Sequence, residues 1–329
     1  MKMRKLGADG PELSAIGLGC MRMTPLTAQQ GWTGKDEGIA TIHAALDAGV
    51  SLLNTGDFYT MGANEMLVGE ALRGRRDKAF LSVKFGAMRA PDGQFLGFDA
   101  RPKAIRNFCA YSLQRLGVDE IDLYQPSRID PAVPVEDTIG AVADLIKEGK
   151  VRYLGVSEYN ADQLRRAHAV HPVTALEIEY SLASRFIEPE ILPVARELGI
   201  GIVPYSVVTQ GLLTGALPAE LPADDIRRIF PRFQGENLHR NIAAVEALRA
   251  IAERKGATPA QIAIAWVLAQ GEDLIPLVGM SNRSRLPENL GALDVALSPE
   301  DLAELDHAFA PGTFAGSRYP EGLESHVAS

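Results

Sequence analysis

The sequence predicts one (β/α)8 barrel, on three observations: eight short apolar runs, helix-period segments between them, and glycines where those helices should stop. At 329 residues a single barrel with extensions accounts for the chain, so residues 1–329 are read as one domain.

Residues 3–16 read as a hairpin turning at Ala8-Asp9-Gly10, where Asp-Gly supplies the positive φ of a tight turn. Strand candidates follow at 16–19, 51–54, 80–84, 121–124, 151–157, 175–179, 201–205 and 274–278. Between them, Ile39, Ile42 and Leu46, then Ile105, Phe108, Ser112 and Leu116, then Val135, Ile139, Val142 and Ile146, then Ile191, Val194 and Leu198 each form one apolar helix face. Gly49, Gly117, Gly149 and Gly199 follow these faces as left-handed caps. Two segments exceed the repeat. The proline-bearing stretch 216–236 reads as a long loop over the barrel mouth, and a helix at about 299–310 leads into a tail, 311–329, that either covers the mouth or is mobile.

A net charge of -9 gives no long-range attraction to phosphate backbones or anionic lipid, which argues against nucleic acid and membrane partners. Two cysteines, Cys20 and Cys109, are too few for a disulfide framework, and the start lacks the apolar core of a secretion signal. A cytoplasmic location is expected.

In such a barrel the working residues stand where strands end: Asn54, Lys84, Ser127, Ser157, Glu177, Tyr205 and the segment from Gly279. Lys84 ends a buried strand and needs a partner, which Tyr59 can supply. An ammonium beside a phenol makes an acid–base group. The same two residues also fit a lysine tip reaching solvent and a tyrosine packed in a loop.

The run Leu53-Asn54-Thr55-Gly56-Asp57-Phe58-Tyr59, continuing through Asn64-Glu65 to Val68-Gly69-Glu70-Ala71-Leu72, resembles the second-strand signature of the aldo-keto reductases, most nearly their bacterial, pyridoxal-reductase-like branch. So do Val83-Lys84-Phe85-Gly86, Ile121-Asp122-Leu123-Tyr124, Glu148-Gly149-Lys150-Val151-Arg152, Glu179-Tyr180-Ser181-Leu182, Pro204-Tyr205-Ser206 and Gly211-Leu212-Leu213-Thr214-Gly215. The resemblance implies NADPH-dependent reduction of a small aldehyde or ketone to an alcohol. Of the family's Asp, Tyr, Lys and His, Tyr59 and Lys84 match, while the Asp position is Asn54 and the His position is Ser127. The lysine's charged partner and the carbonyl-orienting imidazole are then both missing. Asp57 is expected to be a solvated loop acid, and Tyr59 to carry the acid–base work with its pKa lowered by an unpaired Lys84.

The resemblance also places the cofactor. Tyr205 stacks on the nicotinamide, Ser157, Glu158 and Glu177 surround its carboxamide, and Ser206 and Gly211 continue that wall. Ser281, Asn282, Arg285, Glu288 and Asn289 take the adenosine end, with Arg285 on the 2′-phosphate, so NADPH is expected over NADH. Trp32, Phe58, Met61, Phe85, Phe95 and Phe98 are expected around the mouth and favour an apolar or aromatic carbonyl compound.

Rival readings are weaker. Gly17-x-Gly19 lacks the third glycine of a dinucleotide fingerprint, and His168 with His171 reads as a solvated face rather than a metal site. A hydrolase would need paired carboxylates, and Glu177 and Glu179 are expected to face opposite ways. With two tetrad positions changed, a nucleotide-binding regulatory or redox-sensing protein with little turnover is the alternative.

Overall fold

The computed structural model describes residues 1–24, 33–324 and 326–328. It opens with a hairpin of β1 (Met3–Lys5) and β2 (Glu12–Ser14), paired antiparallel with Arg4 opposite Leu13. The turn differs from expectation. Its positive φ lies at Gly7 (71°), and the Leu6 N–H donates to Pro11 O at 2.9 Å. Gly10 serves by its small size, because a Cβ there would lie 1.8 Å from Leu6 O.

The strands that follow are β3 (Gly17–Gly19), β4 (Leu52–Gly56), β5 (Phe80–Phe85), β6 (Ala87–Arg89), β7 (Phe95–Phe98), β8 (Ile121–Pro126), β9 (Val151–Ser157), β10 (Ala175–Glu179), β11 (Gly201–Tyr205) and β12 (Leu277–Gly279). Eight of them form one parallel sheet in the order β11-β10-β9-β8-β5-β4-β3-β12. A parallel bridge between Ile202 and Leu274 joins its two edges and closes the barrel. The apolar runs seen in the sequence are these strands, buried on both faces as parallel barrel strands are.

The helices are α1 (Lys35–Asp47), α2 (Ala63–Ala71), α3 (Pro102–Leu116), α4 (Val135–Lys147), α5 (Ala161–Val170), α6 (Ile191–Glu197), α7 (Gly235–Lys255), α8 (Pro259–Ala269), α9 (Leu286–Gly291), α10 (Pro299–Ala308) and α11 (Glu321–Glu324). The expected faces are the packed ones: α3 buries Ile105, Ser112 and Leu116, and α4 buries Val135, Ile139 and Val142. All four expected cap glycines have positive φ, between 65° and 87°.

Two features decide where a site can form. At the amino-terminal ends of the strands, Leu6 and Leu13 of the hairpin pack on Leu52, Phe80, Leu123, Ala175, Val203 and Leu277, which seals the barrel bottom. At the opposite end stand the long loop, whose Arg232 reaches Glu179, and the tail, whose Arg318 and Tyr319 reach Glu158 and Tyr205. The tail therefore covers the mouth. The β6–β7 hairpin, unanticipated, lies beneath it, with Phe98 packed 5.1 Å from the ring of His326. Among the described residues, no helix is long and apolar enough to cross a membrane, and no group of three or more His, Cys, Asp or Glu is placed to hold a metal ion.

Candidate active site

Tyr59 follows β4 on a turn in which Thr60, Met61 and Gly62 all have positive φ (45°, 55° and 89°). Such backbone is costly for side-chain-bearing residues and concentrates where a group must be aimed. It brings the Tyr59 ring to 5.3 Å from Lys84 Nζ.

Lys84, near the end of β5, is 5% exposed. Its ammonium donates to Asn54 Oδ1 at 2.5 Å and to Glu177 Oε1 at 2.6 Å. The second Glu177 oxygen accepts from Asn54 Nδ2 at 2.7 Å and Gln125 Nε2 at 2.5 Å, and both amides donate on to Ser82 Oγ. One positive and one negative charge are thus closed into a buried network spanning β4, β5, β8 and β10. This corrects two expectations. Lys84 has a carboxylate partner, supplied from across the barrel, and Glu177 serves inside the protein, with both oxygens accepting from its neighbours.

The electrostatics follow. Burial alone would push the Lys84 ammonium down, but Glu177 and Tyr59 outweigh it and hold its pKa above the usual lysine value. For Tyr59, burial raises the phenol pKa, Lys84 draws it down, Glu177 pushes it up again, and the balance lies above the ordinary value. The expected lowering fails because burial outweighs the pull of Lys84, and the Glu177 charge beside that lysine adds to it. Asp57 is also not the solvated acid expected: Oδ2 accepts from the Gly86 N–H at 3.3 Å, Oδ1 has no partner among the described residues, and burial together with Glu65 lifts its pKa to about 8.

Ser127, just past β8, is buried with its hydroxyl unpartnered among the described residues. Its neighbour Arg128, which the sequence reading passed over, directs its guanidinium to Ser127 O, Ser157 Oγ, Tyr205 Oη and Tyr319 Oη. The Tyr205 hydroxyl donates to Glu158 Oε1 at 2.8 Å and lies 2.8 Å from that of Tyr319. Glu158, at φ 57°, also accepts from the Glu179 N–H, Arg318 and the Ala328 N–H. Glu179 accepts from Ser184, Arg232 and Arg318. Glu177 and Glu179 do not face opposite ways as expected, because residues two apart on a strand share a face. Arg128 was legible as the residue beside a strand end. Arg318 and Tyr319, in a tail without periodicity, were not.

On the far side of the mouth, Asn282 Oδ1 caps a short turn by accepting from the Ser284 N–H at 2.8 Å. Ser281 is half-buried and Asn289 buried, while the exposed Arg285, among the described residues, makes a 3.5 Å contact with Glu288. Among the described residues, no atom beyond the adjoining chain lies within 4 Å of where a Cβ on Gly279 would be. Gly211 (φ 95°) and Ser206 (φ 57°) shape the loop after β11. These residues fit a nucleotide's phosphate-bearing end: a basic side chain with little to hold it, beside open backbone. At the carboxamide end Ser157 remains, but Glu158 and Glu177 are both engaged by the protein itself. Of the expected mouth aromatics, Phe58 packs on Tyr59 and Phe95 on Phe98. Phe85 instead stacks on Tyr124 in the core, and Trp32 lies outside the described residues.

Residues 15–310 match the model of the Aldo/keto reductase family. The chain belongs to that family. It is 44% identical to a probable aldo-keto reductase 1 of Glycine max, the match covering 97% of this chain and 92% of the relative. Among solved structures it resembles the glycerol dehydrogenase AKR11B4 of Gluconobacter oxydans, with a TM-score of 0.84, 30% identity and coverage of 94% and 95% of the two chains. It also resembles the holo form of the aldo-keto reductase AKR11C1 of Bacillus halodurans, with a TM-score of 0.78, 26% identity and coverage of 94% and 96%. Membership makes this an oxidoreductase of carbonyl groups, in a family that works with NAD(P)H. In this chain the carboxylate beside Lys84 is that of Glu177, and position 54 is an asparagine.

Proposed function

We propose that this aldo/keto reductase reduces an aldehyde or ketone to an alcohol with NADPH, and that Tyr59 gives the proton. The observation that carries the reading is the Tyr59–Lys84–Glu177 assembly, a buried ion pair beside a half-buried phenol. A proton donor must be protonated before the reaction and must tolerate charge as it lets go. The raised pKa of Tyr59 meets the first need, and the ammonium of Lys84 beside it meets the second. Glu177 keeps Lys84 charged, and Asn54, bonded to both, fixes their geometry. Ser127 offers an uncommitted hydroxyl to the carbonyl oxygen.

NADPH, when bound, supplies the hydride. Ser157, Tyr205, Ser206 and Gly211 are proposed for its nicotinamide half, and Ser281, Asn282, Arg285, Glu288 and Asn289 for its adenosine half, with Arg285 on the 2′-phosphate. The retained Tyr59 and Lys84 favour turnover over a purely regulatory role.

The test measures NADPH-dependent reduction of an aldehyde panel, alongside titration of NADPH and NADH. Tyr59→Phe and Lys84→Met are expected to abolish reduction and keep nucleotide binding. Arg285→Ala is expected to lose an NADPH preference worth about 1.5–3 kcal/mol. Substantial turnover by Tyr59→Phe overturns the mechanism, and unchanged discrimination in Arg285→Ala removes that residue from it.

A further inference from the structure

Around the reacting end of the mouth, three cationic side chains are matched by carboxylates. Lys84 pairs with Glu177 at 2.6 Å, Arg232 with Glu179 at 3.4 Å, and Arg318 with Glu158 at 3.2 Å and Glu179 at 3.4 Å. Arg128 has no carboxylate within ion-pair distance among the described residues. Its partners are neutral: the Ser127 carbonyl at 2.5 Å, and the hydroxyls of Tyr319, Ser157 and Tyr205 at 3.3, 3.4 and 3.4 Å. Hydroxyl contacts of that length meet the guanidinium loosely, since charge-assisted bonds run about 2.7–2.9 Å. Arginine does not shed its proton, so the cation stays in place whatever its surroundings.

This underused cation stands at the reacting end of the site. Its charge acts on the Tyr59 phenol, and the adjoining Ser127 brings a buried hydroxyl with no partner of its own among the described residues. A cation held by long hydroxyl contacts and by no carboxylate, one residue from the hydroxyl offered to the carbonyl, makes a pocket that lacks an anion. The anion is not assigned to the nucleotide's phosphates. In the closed ring of eight strands, β8, which leads into Arg128, is four places from β12, which leads into Arg285, so the two arginines stand on opposite sides of the barrel.

We propose that Arg128 binds an anionic group of the substrate, and that this reductase prefers carbonyl compounds bearing a carboxylate a few atoms from the carbonyl carbon. The inference rests on the carbonyl-reductase reading above and adds the substrate's chemical class to it. A carboxylate there would take two donors from the guanidinium and draw the carbonyl towards Tyr59. Arg128 is thus a specificity-determining residue, and the expected mouth aromatics supply only the apolar remainder of the pocket.

The test compares 3-carboxybenzaldehyde with its methyl ester, methyl 3-formylbenzoate, in wild type, Arg128→Met and Arg128→Lys. Wild type is expected to favour the acid. Arg128→Met should lower the acid-to-ester ratio of kcat/KM about tenfold or more, mainly through KM of the acid, and Arg128→Lys should restore part of it. Because the ratio is taken within one protein, a general loss of activity or of nucleotide binding cancels. A second arm needs no turnover: calorimetric titration of 3-(hydroxymethyl)benzoate, with and without NADP+, should show binding to wild type and at least tenfold weaker binding to Arg128→Met. A ratio unchanged by Arg128→Met, or binding of the benzoate that ignores the substitution, overturns the proposal. Absence of reduction for every aldehyde, with the benzoate still bound through Arg128, overturns the reductase reading and leaves the anion site standing.

Discussion

At the scale of single residues, the site is governed by where one negative charge sits. A buried ammonium without a carboxylate would be driven to lose its proton, and the chain supplies the carboxylate from Glu177, 93 positions beyond Lys84. Asn54 then takes the amide's part, its carbonyl turned to the ammonium and its NH2 to the carboxylate. Glu177→Gln should therefore destabilise the fold by about 3 kcal/mol, as breaking a buried pair from one side does, read as a drop in Tm. It should also move the tyrosine-linked limb of the pH–rate profile to lower pH, because the Glu177 charge is among the causes that hold the Tyr59 pKa up. The double change Asn54→Asp with Glu177→Gln returns an acid to the lysine, so both effects should largely reverse. A double variant as impaired as the single one would show that the location of the charge, and not merely its presence, matters. Tyr59 and Lys84 were legible in the sequence because each is fixed by its own strand or turn. Their partner was not, because contact across a closed barrel leaves no trace in local spacing.

Elements were read more easily than their connections. Strands and helices declare themselves by period, and the glycines at 49, 117, 149 and 199 fall where left-handed caps require them. The β6–β7 hairpin went unread although Pro91-Asp92-Gly93 carries turn chemistry, because its strands, three and four residues long, are too short to display an alternation. The turn that presents Tyr59 was equally hidden: nothing in Thr60-Met61 announces two left-handed residues. There the constraint falls on Gly62, whose φ of 89° suits glycine and where a Cβ would lie 2.8 Å from Cδ and Nε of Arg115, itself held to buried Glu65 at 2.5 Å. Gly62→Ala should cost about 1–3 kcal/mol of stability and reduce kcat with it, since the same strain displaces Tyr59. Thermal melts and kcat should fall together; a variant that melts lower while its kcat is untouched would separate the turn's stability from its aim.

For the molecule as a whole, the fold class was evident from eight strand–helix units, whereas the fate of the tail was not, since nothing in 311–328 shows that Arg318 will meet Glu158 160 positions away. The structure has a sealed floor and a roofed top, and the floor has its own consequence when viewed as proton traffic between backbone and solvent. With Leu6 and Leu13 wedged among the first residues of the strands, water reaches those amides only if the hairpin leaves, and the hairpin cannot leave without opening the core it shares with six of the barrel strands. Amide hydrogens of Leu52, Phe80, Leu123 and Ala175 should accordingly exchange only through global unfolding, while those of the Tyr59 turn, the 216–236 loop and the tail exchange through local openings. Adding NADP+ should slow exchange in the second group and leave the first alone. Nucleotide-dependent protection appearing in β1 and β2 would mean that the floor is not a passive seal but shares in binding at the far end of the barrel.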